Sequence, residues 1–274
     1  MLEIPEAAVI ASQLNSSVKG NRIQNVVVCQ SPHKFAFFTG DPAAYKTMLA
    51  GKKIGAASAI GGLVEINVED KLLLFGDGVN LKFHRADEPR PPKHQLLMEV
   101  DNGSALSGSV QMYGGLWCMN QGPFENSYFI AAKTKPSPLT EKFNKRYFLS
   151  LFDENSGNLS LKAFLATEQR IPGLGNGVLQ DILFNAGMHP KKKVSTLSEK
   201  DRGVLFDSVK STLAAITRQG GRNTEKDLFG NAGGYACRVC KNTVDKPCAV
   251  CGTPIKKEAY MGGSIYYCGR CQKL

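Results

Sequence analysis

The chain has 274 residues, 42% hydrophobic and 21% charged, the balance of a globular protein large enough for two or three domains. Its 34 Lys and Arg against 24 Asp and Glu leave a net charge of +10, which favours a polyanionic partner because each cation near a phosphate releases condensed counterions. No run reaches the roughly 18 apolar residues of a membrane span, and the opening Met1-Leu2-Glu3-Ile4-Pro5-Glu6 carries two acids and no basic stretch, so membrane association and a secretory leader are not expected and a cytoplasmic location is.

In chain order, Ala7, Val9, Ile10 and Leu14 recur at helical spacing and predict an amphipathic helix over residues 6–18, stopped by Gly20. Glu6 reads as a helix-start acid. Between about residues 23 and 130 the pattern changes to short apolar runs broken by Gly, Asp, Asn and Pro. Residues 25–28, 63–66, 72–75 and 94–100 are the clearest strands, and several such runs predict a sandwich or barrel. Cys29 and Cys118 stand alone among apolar neighbours and read as buried core thiols. Residues 133–138 read as a linker.

Helices are expected over 140–152, 160–169, 178–186 and 198–217, with Thr140-Glu141 and Ser198-Glu199 supplying caps and first-turn acids. The run Ile171-Pro172-Gly173-Leu174-Gly175-Asn176-Gly177 ends one helix and begins another. Its glycines permit positive φ and close backbone approach, and a helix start there would offer free N–H groups to a phosphate. A plain helix–helix turn has the same spacing. Lys191, Lys192 and Lys193 read as a solvated face.

Six of the eight cysteines lie between Cys237 and Cys271, a clustering that reads as metal binding in a reducing compartment. Cys248 and Cys251, then Cys268 and Cys271, form two C-x-x-C knuckles spaced for one tetrahedral four-thiolate zinc site, closed and therefore structural. Residues 253–255 and 264–267 would be strands turning at Met261-Gly262-Gly263. Cys237 and Cys240 make a rival knuckle, too close to Cys248 for a comfortable ribbon turn.

The order and spacing of several segments resemble the Fpg/Nei (formamidopyrimidine-DNA glycosylase and endonuclease VIII) family along essentially the whole chain. They are Glu3-Ile4-Pro5-Glu6, the run from Gln169 to Asn176, Ala186-Gly187-Met188-His189-Pro190, and the stretch from Pro247-Cys248 to Cys271-Gln272-Lys273. The resemblance implies an α+β fold: an N-terminal β-sandwich domain with an N-terminal helix (1–135), a helix–two-turn–helix DNA-binding domain (136–228) and a C-terminal β-hairpin zinc finger (229–274). It implies a monomer binding double-stranded DNA with damaged bases or abasic sites in the cleft between domains. By position, Glu3 matches the family's catalytic acid and Asn176 a phosphate-contacting asparagine. Gln111 and Tyr113 fall where side chains fill the gap left by a flipped base, an extrusion that base chemistry demands.

The sequence departs from that pattern where the chemistry is done. The family's nucleophile is the amine of an N-terminal proline exposed by methionine removal, whereas position 2 is Leu2, whose bulk favours retention of Met1. The nucleophile would then be the α-amine of Met1, or of Leu2 after trimming. Such an amine, with a pKa of roughly 7.7–8.0, is far more often neutral at pH 7 than a free lysine. The β-domain lysine falls in Ala59-Ile60-Gly61-Gly62, with Lys52 and Lys53 out of register; the finger arginine falls near Gly263, and an apolar wedge residue near Asp77. The leading expectation is a base-excision DNA glycosylase, with or without strand-nicking lyase activity, of altered or reduced efficiency. The alternative is a non-catalytic relative that binds damaged DNA, and the third is a zinc-ribbon RNA-binding module.

Overall fold

The computed structural model describes residues 2–274; the expectation for Met1 lies outside the described residues. The first helix, α1 (Ile4–Ser17), begins two residues earlier than its periodicity predicts, because Pro5 sits in its first turn, where a missing N–H costs nothing. Its start straddles two cores. Leu2, Ala7, Ile10 and Leu14 pack against the sheet, while Ile4 packs among the later helices.

The sheet is antiparallel apart from one short pair. Strands β1 (Ile23–Val28), β3 (Ile54–Ile60), β4 (Leu63–Val68), β5 (Lys71–His84), β6 (Leu96–Val100) and β7 (Ala105–Asn120) run in the order β1-β6-β7-β5-β4-β3. The two-residue β2 (Ala36–Phe37) pairs parallel to β7, and the short helix α2 (Ala44–Leu49) precedes β3. The long β5 and β7 run through both halves of the sheet. Before Asp77 the flank of β5 is β4; past it, β7 turns its flank to β6. A register shift between Asp77 and Val79 separates the two halves, and a bulge there re-aims the side chains around it. Cys118 is buried in the core as expected, and burial pushes its thiol up to about 12. Cys29 is not: it follows β1 at φ 53° and is only half-buried.

The expected linker is shorter than its composition suggests, because α3 (Ser127–Thr134) runs into it from a cap at Asn126. The helix expected over 140–152 shrinks to α4 (Lys145–Ser150), where Asn144, not Thr140, accepts the capping hydrogen bond. Then come α5 (Leu161–Ala166), α6 (Asn176–Asn185) and α7 (Glu199–Arg218). Ser198 and Asp201 form a reciprocal capping box that fixes the α7 start. Phe148, Phe164, Leu179, Leu183 and Leu213 fill the core of this half. The hairpin β8 (Ile255–Tyr260) and β9 (Gly263–Cys268) closes the chain. No helix among the described residues is long and apolar enough to cross a membrane.

Candidate active site and metal centre

The segment before α1 is held at both sides. Leu2 donates its N–H to the Asp77 carbonyl at 2.9 Å, and Ile4 donates to the Gly173 carbonyl at 3.0 Å. Between them, the Glu3 side chain reaches across to α6. Its Oε1 accepts the Gly177 N–H at 2.9 Å and its Oε2 the Val178 N–H at 2.8 Å. Glu3 therefore satisfies two of the orphan donors of another helix. The N–H groups expected to stand free for a phosphate at this helix start are, at Gly177 and Val178, already occupied.

Behind Glu3 lies Arg222, 3% exposed. Its Nη1 is 3.6 Å from Glu3 Oε1, while Nε and Nη2 donate to Glu6 Oε1 and Oε2 at 2.8 and 3.1 Å. Glu6 is thus a buried ion-pair partner and not a solvated helix-start acid. Burial works against the guanidinium's charge, but Glu3 and Glu6 outweigh it and hold Arg222 above its ordinary value. Burial pushes the Glu3 carboxyl up, with Arg222 pulling the other way. Arg222 escapes sequence reasoning because nothing local marks it; the residues it joins are 216 positions away.

The glycine run serves this arrangement. A Cβ on Gly177 would lie 1.6 Å from Arg222 Nη1, and one on Gly173, at φ 78°, would lie 1.9 Å from the Gly62 nitrogen. The turn at Gly61-Gly62 therefore packs backbone to backbone on Pro172-Gly173. A lysine at Gly62, where the family places one, would have no room here.

Between the sheet and the helices lies a cleft of about 580 Å³, lined among others by Leu2, Glu3, Asp77, Tyr113, Lys162 and Asn176. The bulge opposite Gly78 presents Met112 (68% exposed) and Tyr113 to solvent at its rim. Gln111, one step away along β7, turns elsewhere and lines a neighbouring cavity of about 240 Å³ with Glu6 and Thr224. The structure thus gathers Leu2, Glu3, Tyr113 and Asn176 and leaves Gln111 on the other side of the strand. Asp77 stands at φ 56°, and burial raises its carboxyl above the usual range.

Asn176 begins α6 and donates from Nδ2 to the Ser264 carbonyl of the hairpin at 3.1 Å. Gln180, one turn on, bonds Ser264 and Tyr266. Lys162 donates to the Tyr260 carbonyl at 2.5 Å, and burial holds its ammonium below the ordinary lysine range. A lysine in the apolar run Leu161-Lys162-Ala163-Phe164-Leu165 was the available sequence signal for this residue.

The sulfurs of Cys248, Cys251, Cys268 and Cys271 all lie within 4.8 Å of one another. The Cys251–Cys268 and Cys248–Cys271 separations are 3.4 and 3.9 Å, bracketing the ~3.8 Å edge of a tetrahedron with Zn–S bonds of about 2.3 Å. The donor set fits a zinc ion. Cys237 lies apart, its sulfur 4.0 Å from Thr224 Oγ1.

A family model, the formamidopyrimidine-DNA glycosylase H2TH domain, matches residues 135–227. Proteins named formamidopyrimidine-DNA glycosylase from Bacillus licheniformis and Pasteurella multocida are 26% and 27% identical to the chain, each over the full length of both. Among solved structures, Lactococcus lactis Fpg in complex with abasic-site DNA superposes with a TM-score of 0.83 at 22% identity, covering 99% of this chain and all of that one. The MutM (Fpg) protein of Thermus thermophilus gives 0.81 at 22% identity over 98% of each chain.

Removing Arg222 leaves two buried carboxylates facing each other. Arg222→Ala should cost about 3–5 kcal/mol of stability near neutral pH. Without the guanidinium the folded-state pKa of Glu3 rises further above its unfolded value, so the folded state binds more protons and stability falls as pH rises. Thermal unfolding should therefore show the deficit shrinking from pH 8 to pH 5; a deficit independent of pH would contradict this account.

Proposed function

The chain belongs to the Fpg/Nei family of DNA glycosylases, and from that premise we propose that it removes damaged bases from duplex DNA in base-excision repair. The observation that carries this reading is the convergence of Leu2, Glu3, Tyr113, Lys162 and Asn176 on one cleft between the sheet and the helices. Those residues come from every part of the chain, and no requirement of folding alone brings a phosphate-type contact, an acid and exposed wedge side chains together at one opening.

The duplex lies along the mouth of the cleft. Met112 and Tyr113, held out by the bulge, occupy the space vacated by an extruded nucleotide. Asn176 and Lys162, both bonded to the hairpin, contact the phosphates that flank it. Lys162 also supplies the cation that the finger lacks: a methyl group built on Gly263 would be 3.5 Å from Lys162 Nζ and 3.9 Å from Asn176 Nδ2. Glu3, next to the reacting sugar, is the acid that assists sugar opening. Its two backbone hydrogen bonds and Arg222 fix its orientation. With no lysine at Gly62, turnover is slower than in relatives that have one. The cellular setting is the cytoplasm, at the nucleoid.

Cys248, Cys251, Cys268 and Cys271 hold one structural zinc. When bound, the ion would supply cross-linking and no reaction chemistry, since four thiolates leave it no open position. These residues tie the hairpin ends together, and the hairpin in turn carries Tyr260 and Ser264 to Lys162 and Asn176.

Cys248→Ser should abolish stoichiometric zinc and weaken duplex binding, whereas Cys237→Ser should do neither; metal analysis of the purified proteins decides, and full zinc in the Cys248→Ser protein would sink the assignment.

Duplex affinity should fall steeply with salt, and Asn176→Ala should weaken all duplexes alike by roughly 1–2 kcal/mol. Release of free base from duplexes carrying single oxidised bases tests the reaction itself. Tight binding without base release from any of them would make the chain the non-catalytic damage-binding relative.

A further inference from the structure

The glycosylase reading leaves the amine that attacks the sugar unassigned inside the fold, and the inference that follows rests on that reading. Among the described residues that line the main cleft there is one lysine, Lys162. It stands on α5, 6% exposed, with its ammonium held by a single protein hydrogen bond, to the Tyr260 carbonyl at 2.5 Å. The Tyr260 ring lies 5.8 Å from it. No carboxylate lies within ion-pair distance of it among the described residues: the cleft acid Glu3 is paired with Arg222, and no ion pair joins Lys162 to Asp77.

We propose that the Lys162 side-chain amine is the nucleophile that forms a covalent imine with C1′ of an abasic sugar in this cleft. A lysine becomes a nucleophile when it can shed its proton, which desolvation without a counter-charge promotes. Both conditions hold here, and burial lowers this ammonium's pKa. The space beside it is open on the DNA side because position 263 is glycine: a Cβ there would stand 3.5 Å from Nζ. Asn176, on the opposite edge of the same gap, holds the flanking phosphate, so the sugar is presented next to the amine.

The chemistry balances without a cofactor. The neutral amine adds to the C1′ aldehyde of the ring-opened sugar, and the C1′ oxygen leaves as water, forming the C1′=N bond. Once this imine is protonated, a C2′ proton passes to solvent. The C3′–O3′ bond then breaks, and the 3′ phosphate departs with the bonding pair. Water finally hydrolyses the imine and returns the amine.

Borohydride delivers hydride to C1′ of such an imine and leaves a stable secondary amine. The full-length zinc-loaded chain, reduced on a duplex with one preformed abasic site, should yield an adduct whose tryptic peptide contains Lys162. Lys162→Arg keeps the positive charge and its reach to a phosphate but cannot form the imine. It should lose the adduct by at least about tenfold while duplex affinity changes by less than about threefold. Unchanged zinc content and thermal midpoint in that variant guard against misfolding. Acetylating the N-terminal amine should leave trapping intact. An adduct that maps to the N-terminal residue, or that survives in Lys162→Arg, overturns the proposal. So does base release by the wild type with no adduct at all, though the glycosylase reading then stands. A Lys162 adduct at an abasic site without base release from any lesion supports the proposal and removes the glycosylase step alone.

Discussion

A guanidinium cut off from water needs charged partners, and Arg222 finds them at the far end of the chain. Glu6 grips it with both oxygens, Glu3 stands behind, and Glu3 in turn caps α6 through Gly177 and Val178. One buried cluster thereby joins the N-terminal helix, the start of α6 and the segment after α7. Such a cluster is weak evidence for net stability, since two or three charges lost their water to make it. Its consequence is geometrical. Each member leaves an unpaired buried charge if another moves, so the two halves of the molecule keep one mutual placement, and the cleft is the gap that this placement leaves.

The glycines around the cleft follow from the same constraint. Gly177 has no side chain because Arg222 Nη1 occupies the place, and Gly173 none because the turn at Gly61-Gly62 lies against it. A sequence that puts ions and two backbone turns in one small volume must leave that volume empty of side chains. The bulge at Asp77 acts from the other side. It breaks the ladder between β5 and β7 so that Met112 and Tyr113 project outward while Leu2 is tied to the Asp77 carbonyl.

The third wall is the hairpin, which has little core of its own. Phe184 of α6 packs with Val239, Cys248, Ile255 and Cys268, and the rest of its attachment is polar. Ser264 bonds Asn176, Gln180 bonds Tyr266, Tyr260 accepts from Lys162, and Lys191 pairs with Glu258. The lysine that composition marks as part of a solvated cationic face is in this way a strut. With so small an apolar core, closure of the hairpin falls to the four-sulfur cluster, as in other small metal-dependent units.

What the sequence by itself determined is what short-range physics controls. The C-x-x-C spacing brought four sulfurs within one coordination sphere, the Ser198 cap with its acidic first turn placed α7, and apolar runs of β-branched and leucine residues marked β1, β4 and the first half of β5. The Fpg/Nei resemblance ordered these parts. The limits are equally physical. β7 runs through Gly114 and Gly115, residues that weaken a strand by themselves, and it exists because β5 pairs along almost its whole length. The glycine run read equally well as a phosphate cradle or a plain turn, because its spacing does not say what fills the space beside it. Only the tertiary structure put Glu3 there. Lys162 and Arg222 became site residues, Glu6 an ion-pair partner and Gln111 a resident of the neighbouring cavity by contacts that in several cases span most of the chain. Helix and strand periodicities carry information over a few residues, whereas the position of a buried charge is fixed by whichever distant group can neutralise it.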